Sequence, residues 1–247
     1  MSGIPVSRCG TDDVLSGMDA NIHGAREPRH IVITNTESMY FAQRLPEHAS
    51  FIESAAYSCC DGIGVVLAGR AQRQSVPRIY GSALLREACH FGVKRGWRHY
   101  FYGGRPGVPE LLKDRLGTSY PGMITAGLYS PPFRALTARE DQDCVDAINR
   151  VEPDIVWVGL GLLKQERWIA EHLGRVRAPW MIGVGAAFDY HAGTVRHAPL
   201  WIQRAGFEWL HRVICEPRML VRNYRSFIFL GQSLILPSKH HDLRTIR

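Results

Sequence analysis

The chain has 247 residues, of which 45% are hydrophobic and 21% are charged. These are the proportions of a globular protein with a full hydrophobic core, and they exclude a disordered or fibrous chain. The formal net charge of +7 favours an anionic partner, such as a phosphorylated ligand, a nucleic acid or an acidic membrane surface.

The first 28 residues are polar and contain glycine and proline, so we expect a flexible N-terminal arm at residues 1–28. The start of the chain lacks the apolar core of a signal peptide. No run in the sequence approaches the roughly 18 apolar residues that a membrane span needs. The six cysteines form no CxxC pair and have no zinc spacing, which is typical of a reduced, cytosolic protein.

Residues 29–199 alternate between strand-like and helix-like segments. Segments rich in β-branched or aromatic residues predict buried strands. They read HIVITN from His30, WRHYFYGG from Trp97, PDIVWVGLG from Pro153 and APWMIGVGAAFDY from Ala178. Amphipathic segments predict helices, and they read ESMYFAQRL, SALLREACHFGVKRG, VPELLKDRLG, REDQDCVDAINRV and KQERWIAEHLG. The alternation predicts an α/β fold, with a Rossmann-like, mostly parallel sheet and helices on both faces.

Three predicted strands end in glycine. The glycines are Gly103 with Gly104, Gly159 with Gly161, and Gly183 with Gly185. Ligands of open α/β sheets bind at the carboxyl ends of the strands. Glycine there lets a ligand approach the backbone, and helix N-termini offer N–H groups to phosphate. The turn GGRPGV at 103–108 has neither the dinucleotide-binding spacing nor the GK[ST] of a P-loop. A glycine-rich turn often serves only the structure, but its place after a predicted strand and before a predicted helix favours a phosphate or sugar contact.

The C-terminal part of the chain has a different character. Residues 200–247 are helical in pattern, aromatic and rich in arginine, and Pro217 divides the helix. Arg218, Arg222 and Arg225 are spaced four and three residues apart, which places them on one helix face. The apolar stretch FIFLGQSLILP that follows is broken by polar residues. We therefore expect a helical, membrane-proximal appendage that touches a membrane without crossing it.

Two polar sites stand next to predicted strands. Asp61 lies in the apolar stretch CCDGIGVV. An Asp-Gly pair usually forms a turn, but a carboxylate in an apolar setting also suits a general base. Lys164, Gln165 and Glu166 open a predicted helix after GLGLL. Lysine at a helix start opposes the helix dipole, and a bound anion would relieve that cost; the alternative is an exposed helix start.

Other familiar motifs are absent or have a simpler explanation. DQD at 141–143 matches the DxD of metal-dependent glycosyltransferases, but the helix dipole also explains acidic residues at a helix start, and we favour that explanation. Because no HExxH and no GxSxG are present, neither a metal site nor a serine hydrolase is expected. A nucleic-acid-binding protein would suit the charge, but no helix-turn-helix, RNP or zinc signature is present. A nicotinamide-dependent sugar-nucleotide oxidoreductase is the other alternative.

Seven stretches of the chain together resemble one family, the WecG/TagA/CpsF glycosyltransferases (glycosyltransferase family 26). The stretches are DGIGVV, RIYGSAL, YGGRPGV, PDIVWVGLGLLKQERW, GVGAAFDYHAGTVRHAP, FEWLHRV and EPRMLVRNY, within about residues 30–226. The resemblance implies a Rossmann-like fold and inverting transfer of a sugar from a UDP-sugar to a polyprenyl-pyrophosphate-linked saccharide. It places this reaction on the cytoplasmic membrane face, in surface polysaccharide or cell-wall polymer synthesis, and implies no metal and no other cofactor.

The resemblance also assigns roles to residues. Asp61 matches the catalytic base, and the polar positions expected in the catalytic pocket are Thr34, Asn35, Arg78 and Gln165. Positions expected to contact the UDP-sugar are Gly103, Gly104, Gly161, Lys164, Glu166, Gly185, Asp189 and Tyr190. The arginines expected to contact the acceptor pyrophosphate are Arg212, Arg218, Arg222 and Arg225.

The chain departs from the family pattern at three places. Thr34 stands one place later than the threonine of the usual T-x-N-x-E. Leu163 replaces the proline that usually precedes KQE, and Ala83 stands near a position that is often Asp. Family members transfer N-acetylmannosamine, its uronic acid or glucuronic acid. The sequence selects none of these donors and leaves open whether the chain forms a homo-oligomer.

Overall fold

The computed structural model of the chain describes residues 4–62, 64–66, 76–195, 224–226, 228, 229 and 231. Its strands are β1 (Arg29–Thr34), β2 (Tyr57–Cys60), β3 (Arg98–Gly103), β4 (Ile124–Tyr129), β5 (Ile155–Gly159) and β6 (Trp180–Gly183). They form one six-stranded sheet in the order β2-β1-β6-β5-β3-β4. The pairs β1–β6, β6–β5, β5–β3 and β3–β4 are parallel. The predicted α/β class with a parallel sheet is confirmed.

Helices alternate with these strands. They are α1 (Thr11–His23), α2 (Thr36–Ala42), α3 (Pro46–Glu53), α4 (Gly81–Val93), α5 (Val108–Ser119), α6 (Ala138–Arg150), α7 (Lys164–His172) and α8 (Ala187–Ala192). Their starts follow local sequence rules. Asn35 caps α2, Pro46 and Pro109 stand in the first turns of α3 and α5, and Thr137 forms a capping box with Glu140 at α6. Helices α2 and α4 to α7 correspond to predicted segments.

The chain divides into two compact units. The first draws on Met1–Gly10, Ile33–Tyr80 and Arg196–Arg247, and the second on Thr11–Val32 and Gly81–Val195. In the second unit β6 is buried along its whole length and β5 is buried up to its last residue. Such continuous burial is typical of central strands in parallel sheets, and it explains their uninterrupted apolar sequences.

Residues that we expected in a flexible arm form part of the fold where the structure describes them. In the first unit, the backbone N–H of Ser7 donates to the Ser58 carbonyl of β2 at 2.8 Å. In the second unit, α1 buries Val14 and Met18 completely, and Trp180 Nε1 donates to the Met18 carbonyl at 3.1 Å. The apolar residues of α1 recur at spacings of three and four, a helical signal that the polar composition of the segment conceals.

The sequence analysis also did not predict α3, α8 or β4. We read the segment of α8 as a continuation of the strand before it. Strand β4 lies at one end of the sheet order, and its residues are exposed or only partly buried. An edge strand of this kind needs no continuous apolar run, so its sequence carries a weaker signal.

The predicted appendage at 200–247 lies mostly outside the described residues. The part that the structure describes, residues 224–226, 228, 229 and 231, is helical. Arg212, Arg218 and Arg222 are not among the described residues. No helix in the described part of the chain has the length and apolar character needed to cross a membrane.

Candidate functional site

Thr34 and Asp61 lie at the ends of neighbouring strands in the first unit. Thr34 is the last residue of β1, and Asp61 directly follows β2. The backbone N–H of Asp61 donates to the Thr34 carbonyl at 2.7 Å, and the buried Thr34 hydroxyl donates to the Cys59 carbonyl at 3.0 Å. The hydroxyl of Thr34 thus bonds the neighbouring strand. The side chain of Asp61 is only partly buried, so a substrate can reach it.

Asn35 adds a polar group beside the Asp61 loop. Its Oδ1 accepts a hydrogen bond from the backbone N–H of Ser38 at 2.9 Å and caps α2. Gly62 follows Asp61 with a φ of +105°, and a Cβ built there would lie 4.0 Å from the Cβ of Asn35. Because the cap uses Oδ1, the Nδ2 amide group is the end of Asn35 that suits a ligand acceptor group.

Arg78 is held beside the same strand end. It forms a parallel bridge with Cys60, and its guanidinium lies over the Tyr80 ring, 4.0 Å from the ring centroid. Burial, with a smaller contribution from the Asp61 carboxylate, raises the pKa of the Cys60 thiol to about 12, and the Arg78 guanidinium acts in the opposite direction. This thiol is therefore neutral near pH 7 and does not suit a nucleophile. The first unit brings together four of the five residues that the sequence assigned to the catalytic pocket: Thr34, Asn35, Asp61 and Arg78. The fifth, Gln165, belongs to the second unit.

Gln165 and Glu166 form a buried pair at the start of α7 in the second unit. Gln165 Oε1 accepts a hydrogen bond from the Gly185 N–H at 2.9 Å, and its Nε2 donates to Glu166 Oε1 at 3.0 Å. Burial raises the pKa of Glu166, although hydrogen bonds from Gln165 and from the N–H groups of Glu166 and Leu163 act in the opposite direction. This pair joins α7 to the loop after β6. Lys164 beside it is exposed.

Several of the strand-end glycines are required by packing within the protein. A Cβ built at Gly103 would lie 2.7 Å from the Gly159 backbone, and one at Gly159 would lie 2.6 Å from the Phe188 ring. A Cβ at Gly104 would lie 3.1 Å from Val108. At Gly161, whose φ is +86°, a built Cβ meets no atom within 4 Å in the described part of the chain. Among these four glycines, Gly161 therefore matches best the expectation of space for a ligand.

The polar residues of α8 bind neighbouring loops of the second unit. Asp189 accepts hydrogen bonds from Thr194 Oγ1 at 2.9 Å and from Arg105 Nη2 at 3.5 Å. His191 Nε2 donates to the Ser82 carbonyl at 2.8 Å, and burial lowers the pKa of its imidazole. Tyr190 is partly exposed. Much of the polarity of this segment thus serves contacts within the protein, which a sequence cannot distinguish from ligand contacts.

The DQD segment lies near the start of α6, with Asp141 in the first turn of the helix. Asp141 Oδ1 lies 2.8 Å from His172 Nε2, and Oδ2 accepts from Arg175 Nη2 at 2.7 Å. Burial opposes ionisation of Asp141, but these hydrogen bonds outweigh it and lower the pKa. Asp143 is exposed. Among the described residues no group of three or more His, Cys, Asp or Glu side chains could hold a metal ion.

Comparison with known proteins agrees with the resemblance carried by the motifs. The model of the Glycosyl transferase WecG/TagA/CpsF family matches residues 1–239. The N-acetylglucosaminyldiphosphoundecaprenol N-acetyl-beta-D-mannosaminyltransferase of Bacillus subtilis (strain 168) is 30% identical over 191 residues, which cover 76% of this chain and 72% of that protein. The protein of the same name from Staphylococcus aureus (strain NCTC 8325 / PS 47) is 28% identical over 193 residues, or 78% of this chain and 74% of that protein.

Proposed function

The chain belongs to the WecG/TagA/CpsF family of glycosyl transferases, and from this we propose that it transfers a sugar from a UDP-sugar to a polyprenyl-pyrophosphate-linked saccharide. The names of the relatives from Bacillus subtilis and Staphylococcus aureus specify N-acetylmannosamine as the sugar and N-acetylglucosaminyldiphosphoundecaprenol as the acceptor. Of the three donors that the sequence left open, we therefore propose UDP-N-acetylmannosamine. The product would serve synthesis of a surface polysaccharide or cell-wall polymer.

The observation that carries the mechanism is the position of Asp61. It lies directly after β2, only partly buried, with its backbone held by the Thr34 carbonyl. We propose that its carboxylate accepts the proton of an acceptor hydroxyl while that oxygen attacks the anomeric carbon. The attack comes from the face opposite UDP, so the configuration inverts and UDP leaves. Two other carboxylates suit this role less, because Glu166 is buried and Asp141 is paired with His172 and Arg175.

Departure of UDP requires positive charge or N–H donors to stabilise the developing negative charge. In the second unit the exposed Lys164 and the N-terminus of α7 meet this need, because the helix dipole places partial positive charge there. For the pyrophosphate of the acceptor we propose Arg225 together with Arg212, Arg218 and Arg222. Arginine suits this role because its fork binds phosphate in bidentate fashion without a metal.

The basic charge and the lipid-linked acceptor support peripheral binding to the inner face of the cell membrane. The formal net charge is +7, and basic residues close to an anionic bilayer each contribute about 1 kcal/mol to binding. We propose that residues 200–247 make this contact. No nucleic acid enters this function, and the oligomeric state is left open by it.

A donor screen tests the proposal. The purified protein is incubated with each UDP-sugar and a short-chain lipid-pyrophosphate N-acetylglucosamine, and released UDP is counted. We expect acceptor-dependent release with UDP-N-acetylmannosamine. The oxidoreductase would instead be supported if none of the three UDP-sugars gave UDP release and if the fluorescence of a reduced nicotinamide cofactor changed on addition of the protein.

A further inference from the structure

A buried carboxylate on α2 holds an arginine of the C-terminal segment within the first unit. Glu37 Oε1 accepts a hydrogen bond from Arg225 Nη1 at 3.3 Å, across 188 positions of sequence. The side chain of Glu37 is 8% exposed and that of Arg225 is 38% exposed. A carboxylate is rarely buried to this extent without a cationic partner, because it loses hydration. The ion pair is therefore a specific feature rather than a chance surface contact.

An aromatic ring one helical turn further along α2 gives Arg225 a second support. The Cζ atom of Arg225 lies 5.0 Å from the centroid of the Phe41 ring, within range of a cation–π attraction. Glu37 and Phe41 are four residues apart and so lie on one face of the helix. Phe229, four residues after Arg225, is buried. The C-terminal segment is thus held at Arg225 and at Phe229, while Arg225 stays partly accessible.

The same short helix begins at the catalytic pocket. Asn35 caps α2 and stands two residues before Glu37. The loop that carries Asp61 lies beside Asn35, since a Cβ at Gly62 would be 4.0 Å from the Cβ of Asn35. Helix α2, which has seven residues, therefore links the neighbourhood of the proposed base with the arginine.

We propose that Glu37 is a positioning residue for Arg225, fixing its guanidinium so that the exposed part binds the pyrophosphate of the acceptor. This inference rests on the proposed function. A guanidinium has five N–H donors in a planar fork, and the bond to Glu37 engages one nitrogen. Holding an otherwise flexible arginine in one orientation removes the entropy cost of ordering it when the anion binds. The opposite role, in which Glu37 competes with pyrophosphate for Arg225, predicts effects of the opposite sign.

Steady-state kinetics and inhibition by inorganic pyrophosphate test the inference. We expect Glu37→Gln to raise the acceptor KM about 10-fold and to weaken pyrophosphate inhibition by a similar factor, with the donor KM and kcat changed less than about twofold. Arg225→Ala should show the same pattern, and the double variant should be no worse than Arg225→Ala alone. Glu140→Gln, which breaks the exposed Arg134–Glu140 pair, is the matched control and should leave all of these constants unchanged.

Each contrary result overturns the inference. If pyrophosphate inhibits Glu37→Gln more tightly than the wild type, Glu37 competes with pyrophosphate for Arg225. If the acceptor KM and the inhibition constant are unchanged, the ion pair serves only the fold. If Glu37→Gln does not fold, Phe41→Leu provides the test, because it leaves the Glu37 carboxylate in place and removes the ring beside Arg225. An unchanged acceptor KM in Phe41→Leu also contradicts the inference. Calorimetric binding of inorganic pyrophosphate to the wild type and Glu37→Gln needs no turnover. It therefore tests the role of the ion pair even if the donor screen finds no transfer, and it distinguishes failure of this inference from failure of the proposed function.

Discussion

Gln165 and Gly185 are joined by a hydrogen bond of 2.9 Å between the side-chain Oε1 and the backbone N–H. The other end of the same amide donates to Glu166 Oε1, so one buried side chain bonds both a loop N–H group and one oxygen of a carboxylate. Both bonds run within the second unit and tie the first turn of α7 to the residues after β6. The geometry explains why a glutamine, with one donor end and one acceptor end, suits this position.

Replacing Gln165 should therefore affect stability as well as activity. Gln165→Ala leaves the Gly185 N–H and the Glu166 carboxylate without this partner, and we expect the free energy of unfolding to fall by about 1–3 kcal/mol. Urea denaturation measures the change. Gln142→Ala is the matched control, because Gln142 is exposed and its side chain bonds only the exposed residues Asp146 and Arg175 within the described residues. Equal stability of the two variants would contradict the conclusion that Gln165 stabilises the fold by joining α7 to the loop after β6.

Asp61 should be essential for turnover and dispensable for donor binding. Asp61→Asn keeps the shape of the side chain but removes the proton acceptor, so we expect kcat to fall about 100-fold or more, with nearly unchanged affinity for UDP. Released UDP and calorimetric UDP binding provide the two measurements. The exposed Asp143 offers the control Asp143→Asn. Wild-type turnover in Asp61→Asn would remove Asp61 from the mechanism.

Much of the fold and part of the site could be predicted from sequence, for a physical reason. Strand β6 is buried throughout and β5 up to its last residue, so their apolar runs give a strong signal. Asp61 could be found because a carboxylate stands out in the apolar stretch CCDGIGVV, and Asn35 because it matches a polar position of the family pattern. Helix α1 was missed because its apolar residues are diluted by polar ones, and β4 because it lies at an edge.

Packing contacts could not be predicted, and they changed the meaning of several residues. In a sequence, a glycine that leaves space for a ligand cannot be distinguished from one, such as Gly159, that leaves space for the Phe188 ring. The same is true of Asp189, whose carboxylate bonds Thr194 and Arg105 in the structure. Nor did any local pattern connect Glu37 with Arg225, since the partners are 188 positions apart. Long-range pairs of this kind require coordinates.

The fully buried His99 should make stability depend on pH. Trp157 Nε1 donates to its Nδ1 at 3.1 Å, and burial lowers the pKa of the imidazole to about 4. The unfolded chain binds a proton near the usual value of about 6.5, so between these values the unfolded state holds more protons. Stability is therefore full above about pH 6.5 and falls as the pH drops toward 4, by up to about 3 kcal/mol.

Urea unfolding at pH 5 and pH 7.5 measures this dependence. His99→Phe keeps a ring that stacks near Phe101 and Trp157 and should reduce the difference in unfolding free energy between the two pH values. His48 and His191, whose pKa values are also lowered by burial, contribute in the same direction, and Glu166, whose pKa burial raises, contributes in the opposite direction. If the variant shows the wild-type difference, His99 is not the group responsible.

The DQD segment should matter for stability but not for metal-dependent chemistry. We expect transfer activity to survive an excess of chelator and to persist in the double variant Asp141→Ala, Asp143→Ala. That variant should nevertheless lose about 1–3 kcal/mol of unfolding free energy, because Asp141 bonds His172 and Arg175. Asp143→Ala alone should change stability by less than about 0.5 kcal/mol. Activity abolished by chelator and restored by manganese would reverse this view.

Gly159 and Gly161 should respond differently to alanine, because one faces the protein and the other an open space. A Cβ at Gly159 would lie 2.6 Å from the Phe188 ring, so Gly159→Ala should cost about 1–3 kcal/mol through overpacking. Adding Phe188→Leu makes room for the methyl group. The double variant should therefore lose less stability than the sum of the two single variants.

For Gly161→Ala we expect only the strain of its positive φ of +86°, about 1–2 kcal/mol, since no atom within 4 Å in the described part of the chain opposes the new methyl group. Under the proposed function the methyl group intrudes where the donor approaches the backbone, so the donor KM should rise while the acceptor KM stays constant. Thermal unfolding and donor titration separate the two glycines. A donor KM that rises in Gly159→Ala and stays constant in Gly161→Ala would contradict the assignment of the open space to the donor.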